Sequence, residues 1–422
     1  MIGKTNLGVA LNLKGRNQLK KCQFCKKNLV KVYVDLGFMP PVNVMYKINV
    51  TQDKLEGYPL DLGHCTNCGL VQITSEVKQE IVFPQDYPYL SGTTKSLLIN
   101  FSNQYEEVCK ILVLAKDDLV VDIGSNDGSL LVNYKEQSRV LGVEPTLAAK
   151  ISLKKGIPTI EKFFSSIIAE EIVKNSGKAK LITACNVFAH IPDLNDLLSG
   201  IDVLLSDDGV FLSESHYLFS LIEDLQFDTI YHEHLRYYST TFLIYALKKF
   251  NLEVFKIESI KSHGGSIRVW AARSGKFKID ESVKNYLEIE SQYDLAKVLN
   301  KFEKSIIEWR NQFRNLISEL ILDGNTIAAI GAPSRASTLI NFTGLTHFDI
   351  FAVAEISNSA KIGLYMPGTK IPVLEEYEVI KKNPDILLIL SWHISTTLMQ
   401  IFRDKGFKGK FLIPLPTPKI IN

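Results

Sequence analysis

The chain of 422 residues contains no stretch of about eighteen apolar residues without a charge, the length a helix needs to cross a bilayer. Its first residues, MIGKTNLGVALNLKGRNQLKK, lack the apolar core of a secretory signal. No membrane association and a cytoplasmic location are therefore expected. An excess of one charge is also missing. With 48 basic against 46 acidic residues, nothing marks the chain as a binder of nucleic-acid backbone. Cysteine is scarce at six residues, and without an export signal those thiols are expected reduced, where clustered cysteines more often hold metal than form disulfides. Internal repeats and low-complexity tracts are absent as well. What remains is a globular composition, 46% apolar and 22% charged, on a chain too long for one core. Two or three domains are expected.

Residues 20–75 are short-stranded and turn-rich, with Pro40-Pro41 and several glycines. From residue 117 strand-like runs (DLVVDIG, RVLGVEP, AKLITACNVF, GVFLSES) alternate with segments of helical period, the pattern of a doubly wound parallel sheet. A highly charged helical stretch follows residue 275 and reads as a solvated connector. TIAAIG, FDIFAVAE, DILLIL and KFLIPLP then supply the strands of a second, smaller α/β unit over 323–422. The expected division is a zinc module over 1–75, a central domain over 76–275, and a connector with a C-terminal domain over 276–422.

Cys22, Cys25, Cys65 and Cys68 form two CxxC pairs. Four thiolates around Zn²⁺ make a closed tetrahedral site with no position open for substrate, so such a metal stabilises the fold and stays out of the chemistry. The 39 residues between the pairs exceed the spacing of compact zinc ribbons, and two independent cysteine pairs are the alternative. Cys109 and Cys185 read as lone buried thiols.

In LVVDIGSNDGSLL, Asp122, Gly124, Asn126 and Gly128 lie on a strand and the tight turn leaving it, and Glu144 follows 22 residues beyond Asp122 at the end of the next strand. A carboxylate there accepts hydrogen bonds from ribose hydroxyls. Dinucleotide sites share this spacing but carry GxGxxG. GSNDG lacks the second glycine that lets a backbone approach a pyrophosphate, and Asp127 puts a carboxylate where a diphosphate would sit. The turn suits the cationic sulfonium of S-adenosylmethionine better than a nicotinamide cofactor, which stays as the alternative. FDTIYHEHLRYY concentrates Tyr231, His232, Glu233 and His234. His232 and His234, two apart, would face opposite sides of a strand, which disfavours metal; a base near neutral pKa beside tyrosines suits proton abstraction next to a carbonyl. His190 in NVFAHIPD sits where ligands bind at the carboxyl end of such sheets.

Taken in order, LGFMPPVN, YPLDLGHCTNCGLVQ, YPYLSGTT, VVDIGSNDGSLL, NVFAHIPD, FDTIYHEHLRYYS, HGGSIRV, GAPSRASTLINF and GLYMPGTKIPV resemble the sugar C-methyltransferase family over nearly the whole chain. The resemblance implies an α/β protein: an N-terminal zinc domain, a class I methyltransferase Rossmann-like centre and a second Rossmann-like C-terminal domain. It implies methyl transfer from S-adenosylmethionine to C3 of an NDP-4-keto-6-deoxy-sugar, dTDP- or GDP-linked, by a monomer. It assigns catalysis to Tyr231, Glu233, His234, His190 and Tyr89, with Tyr87 the competing tyrosine of YPYLSG and otherwise a cofactor residue beside Asn186. Substrate falls to His263, Gly264, Ser266, Arg335, Asn341 and Glu355, with Arg335 on phosphate. Relatives usually carry lysine-glycine where this chain has Arg335-Ala336, and PWN where it has SWH. Rival expectations are an NAD(P)-dependent nucleotide-sugar oxidoreductase and an inactive zinc-containing binding protein.

Overall fold

Short apolar runs bounded by turns become buried strands because only pairing satisfies their backbone groups away from water. The structure is a computed structural model that describes residues 2–3, 11–13, 21–48, 55–75, 77–83, 90–261 and 264–422. Near the N-terminus β1 (Val30–Met39) and β2 (Leu55–Cys65) form an antiparallel pair whose register sets Val30 opposite Cys65, and β3 (Val71–Ile73) extends it. That register returns the second CxxC to the first. Helix α1 (Lys95–Ile111) leads into the central sheet.

The central sheet contains β4 (Leu119–Ile123), β5 (Arg139–Val143), β6 (Thr159–Ile160), β7 (Ala179–Cys185), β8 (Leu205–His216), β9 (Leu252–Ile260) and β10 (Ser266–Arg273). Their spatial order is β9-β10-β8-β7-β4-β5-β6. The strands from β4 to β8 run parallel, and β10 lies antiparallel between β8 and β9. Helices α2 (Ser166–Ser176), α3 (Leu194–Leu204), α4 (Thr240–Lys248) and α5 (Glu281–Ser291) accompany it. Order reverses between β4 and β7, the switch point at which open α/β sheets bind ligands.

Helix α6 (Leu295–Leu322) corrects the expectation of a solvated connector. Leu299, Phe302, Ile306, Trp309, Phe313, Ile317 and Leu320 recur every three or four residues and are buried against β1 and the C-terminal sheet. Charge fills only its other face. Beyond it β11 (Ile327–Ile330), helix α7 (Ser334–Thr343), β12 (Val353–Glu355), β13 (Val373–Glu375), β14 (Ile386–Ile389), β15 (Lys410–Ile413) and β16 (Lys419–Ile421) build the second sheet in the order β13-β12-β11-β14-β15-β16. Only β16 is antiparallel. Two small pairings tie the units together: β3 with Arg236–Tyr237, and Tyr46–Lys47 with Leu364–Tyr365. Among the described residues no helix is long and apolar enough to cross a membrane.

Candidate active site

Two tight turns carry the cysteines. Lys26 and Gly69, one residue after the second cysteine of each pair, adopt positive φ, which brings backbone N–H groups back toward sulfur. The Sγ atoms of Cys22 and Cys68 lie 3.5 Å apart and those of Cys25 and Cys65 3.6 Å, with all four within 4.8 Å of one another. A tetrahedron of 2.3 Å zinc–sulfur bonds has edges of about 3.8 Å, so the donor set fits Zn²⁺. Among the described residues it is the one cluster with metal-ligand geometry. The Cys68 thiol bonds to Cys22 and pulls its pKa down to about 5, while that same bond pushes Cys68 up.

At the turn after β4, Gly124 has φ +69°, and a Cβ there would fall 2.2 Å from a methyl of Val187. Gly128 and Asn126 are also left-handed. Both Glu144 carboxylate oxygens accept backbone N–H bonds, from Asn126 at 3.0 Å and Thr146 at 2.9 Å, and each oxygen retains a lone pair for a hydroxyl donor. Asn186, at φ +55°, buries an Oδ1 that has no partner among the described residues. Beneath them the Asp122 carboxyl accepts from Thr183 at 2.7 Å, and burial raises its pKa to about 7. This cradle fits S-adenosylmethionine: Glu144 would take the ribose and Asn186 a donor of the cofactor.

Asp127 differs from expectation. Its carboxylate is held by Lys155 at 2.9 Å and by the Gly92 N–H at 3.1 Å, while Asn126 Oδ1 accepts from Ser91 N–H. The side chains that seemed to bar a diphosphate instead fasten the segment before α1.

The histidine-rich segment is a turn and not a strand, closed by a bond from His234 N–H to Tyr231 C=O. Its two histidines still diverge. His232 is buried against Pro59 and Tyr58 of the N-terminal module, which lowers its pKa to about 4. His234 enters a cluster with Tyr231, His190 and His216, at ring-centroid distances of 4.0, 4.8 and 5.1 Å. His234 Nδ1 faces the Thr229 carbonyl at 2.8 Å, so that nitrogen carries the proton and Nε2 presents a lone pair. Burial lowers His190 to about 4, against the pull of the Glu233 carbonyl 2.8 Å from its Nδ1. A neutral His190 donating there offers an acceptor at Nε2, which removes it as an oxyanion donor. Burial raises the Tyr231 phenol, which therefore stays protonated and able to donate.

Glu233 joins three regions. Asn43 of the N-terminal module donates to it at 2.6 Å, and Asn43 in turn accepts from Ser334 at the start of α7. Nearby, the Glu355 carboxylate accepts from Ala332 N–H at 2.8 Å, and Lys361 donates to Ala332 C=O at 2.6 Å. Loss of water around the Lys361 ammonium lowers its pKa, against the attraction of Glu355 and Glu233.

Arg335 is a correction. Its Nε and Nη2 form a two-pronged ion pair with Asp228, both contacts 2.9 Å, and its plane lies 4.8 Å over Trp392, whose indole N–H also bonds Asp228. A guanidinium so occupied pins α7 to the histidine segment and is not an open phosphate clamp. Asn341 is likewise engaged, donating to Ser337 and Pro367 carbonyls. Gly264 accepts from Gln226 through its carbonyl, and Ser266 pairs with His216 at the head of β10. Tyr87, Tyr89 and His263 lie outside the described residues. Cys109 is exposed and Cys185 accepts a bond from Gln104.

The sequence reading missed His216, Lys361 and Asn43. His216 ends β8 at the same sheet edge as His190, a position that was the available signal; the other two carry none. The histidines border a cavity of about 20 Å³. The larger hollow, ≈ 500 Å³ on the outer face of α5, is apolar and holds none of these residues.

Three family models match the chain in sequence: a zinc binding domain at 22–83, a methyltransferase domain at 103–257 and a C-methyltransferase C-terminal domain at 261–416. The C-methyltransferase NovU of Streptomyces niveus is 31% identical over 373 residues, covering 86% of this chain and 88% of the relative. Solved structures similar to this chain include an S-adenosylmethionine-dependent methyltransferase from Clostridium acetobutylicum, 16% identical, covering 42% of this chain and 92% of that one at a TM-score of 0.34. Magnesium protoporphyrin IX methyltransferase from Synechocystis, with bound S-adenosylmethionine, is 12% identical, covering 42% and 79% at 0.32. Scores that low add nothing to the strand order.

Proposed function

The chain belongs to the family of zinc-containing, S-adenosylmethionine-dependent C-methyltransferases, and we propose that its acceptor is C3 of a nucleoside-diphosphate 4-keto-6-deoxy-sugar, activated as an enolate by His234. The observation that carries this reading is the His234 ring itself. A backbone carbonyl fixes its tautomer, the Tyr231 ring lies tilted against it at 4.0 Å, and His190 and His216 of the cluster lie at the sheet edge that also bears the cofactor turn.

S-adenosylmethionine, when bound, supplies an electrophilic methyl group. His234 Nε2 takes the proton from the carbon beside the ketone, and the Tyr231 phenol donates to the oxygen that gains charge. His190, neutral, accepts from a sugar hydroxyl. Glu233, held by Asn43, orients the sugar. With Arg335 committed to Asp228, the cation available to the diphosphate is Lys361 beside the start of α7. Tyr89 and His263 remain proposed as further site residues, and the zinc module, central domain and C-terminal domain are proposed to divide near residues 75 and 275.

The test incubates the protein and S-adenosylmethionine with dTDP- and GDP-linked 4-keto-6-deoxy-sugars and follows mass. A base-stable gain of 14 Da, about one CH₂, is expected on one of them, and His234→Asn should lower turnover by about 10²–10⁴ with cofactor affinity intact. Oxidation or reduction of the sugar without mass gain from methyl would refute the reading.

A further inference from the structure

His234 is 5% exposed, and a base so enclosed must discharge its proton before the next turnover. Thr229 holds Nδ1, so the proton enters and leaves at Nε2. His216 is half-buried, at the last position of β8, with its ring 5.1 Å from that of His234. Two restraints fix its place. Strand pairing sets it opposite Ser266, and the adjoining Tyr217 hydroxyl bonds to Glu290, whose carboxylate also accepts from the first turn of α4.

The cavity of about 20 Å³ beside these rings is lined by Asn186, His190, Ser215, His216, His234 and Arg236, among others. Three of its lining residues bury a polar atom without a partner among the described residues: Asn186 Oδ1, Ser215 Oγ and Arg236 Nε. Orphaned polar atoms are costly. One water needs about 10–15 Å³ and two to four partners, and this cavity supplies both. A water there would accept from Arg236 Nε and donate to Asn186 Oδ1, which leaves it one lone pair and one hydrogen for the two imidazoles.

We propose that this cavity holds one ordered water and that His216, through it, relays the proton from His234 to solvent. The inference rests on the reading of His234 as base. In the balanced sequence the acceptor C–H bond breaks and its proton joins His234 Nε2. The carbon electron pair forms the new C–CH₃ bond while the methyl–sulfur pair stays on sulfur. The Nε2 proton then passes to the water, a water proton passes to His216, and His216 releases it to bulk. Nothing is oxidised or reduced.

The protein is incubated in D₂O with S-adenosylhomocysteine and the keto-sugar that gains 14 Da in the assay above, and deuterium entry at the acceptor carbon is followed by mass spectrometry. Wild type should exchange. His216→Asn should exchange about 100-fold more slowly, bind S-adenosylhomocysteine normally and recover with added imidazole. Undiminished exchange overturns the relay, as does a loss that imidazole does not rescue. If His216→Asn does not fold, Ser215→Val, which fills the cavity, must show the same slowing or the relay fails. A crystal structure of the ligand-free protein should place a water within about 3.2 Å of Arg236 Nε and Asn186 Oδ1; an empty cavity overturns the site. A wild-type protein that methylates without exchanging would instead sink the enolate reading, and the relay with it.

Discussion

In the central sheet the turn after β4 is fastened by Glu144, which accepts N–H bonds from Asn126 and Thr146; in the C-terminal sheet the turn after β11 is fastened by Glu355, which accepts from Ala332 and Ile356. Glu144 follows and Glu355 ends the strand next to the one bearing the turn, and both turns begin with a glycine at positive φ. At Gly331 a Cβ would meet Ser391 Oγ at 2.6 Å. The arrangement is similar and the charge is not. The central turn presents amide and carboxylate groups, with its lysine, Lys155, spent on Asp127. The C-terminal turn faces Lys361, which is bonded to one carbonyl. The first cradle fits the cationic cofactor, and the second is the one proposed above for the sugar diphosphate. Strand order and turn shape thus describe a crevice, and the side chains around it choose the ligand.

The largest effect should come from cutting the pins that hold the two turns. Arg335–Asp228 is buried on both sides, at 7% and 0% exposure, whereas Lys155 is 34% exposed. Arg335→Ala leaves Asp228 charged and enclosed and should cost about 3–5 kcal/mol in urea-induced unfolding. Lys155→Ala should cost about 1 kcal/mol or less. Equal losses would mean that the interdomain pair is not the stronger pin.

Next in size is a reciprocal pair. Glu144→Ala should weaken S-adenosylmethionine binding about 10–100-fold by calorimetry, from loss of charged hydrogen bonds, and leave sugar-nucleotide affinity alone. Glu355→Ala should do the reverse. If both variants weaken the same ligand, the two cradles are not separate sites. Lys361→Met should raise the KM for the sugar nucleotide about tenfold, with kcat little changed and with less dependence of KM on salt.

Much of the comparison was legible in the chain. DIGSNDG and VEP mark the central cradle because a glycine turn and a carboxylate at the next strand end are local patterns, and the CxxC pairs mark the metal though their joining needed the β1–β2 hairpin. Of the groups at the C-terminal turn, Glu355 was named from the sequence and Lys361 was not. Arg335 and Asp228 lie 107 residues apart, and no periodicity links them. Lys361 sits in NSAKIG, which reads like any surface lysine until the fold encloses it. The antiparallel β9–β10 pair also escaped, because ESI and ARS dilute its apolar alternation with charge at both ends. Charge likewise disguised α6, whose buried stripe is plain only when residues are counted by threes and fours.

The last prediction concerns Asp122, which has no counterpart in the C-terminal sheet, where β11 is apolar throughout. Burial raises its pKa from 3.8 to about 7, so the folded state retains a proton that the unfolded state has lost. The stability this group contributes is full below about pH 4 and is lost as pH rises through 7, at no more than ~1.4 kcal/mol per pH unit. Asp122→Asn removes the titration. The melting temperature of the variant, measured without cofactor, should gain on wild type between pH 5 and 7, by about a degree or two per pH unit in a chain of this length, and the gain should level off above pH 8. A constant difference across that range would show that Asp122 is ionised throughout. The central cradle would then carry an additional negative charge beneath its turn, which would strengthen its contrast with the lysine-bearing one.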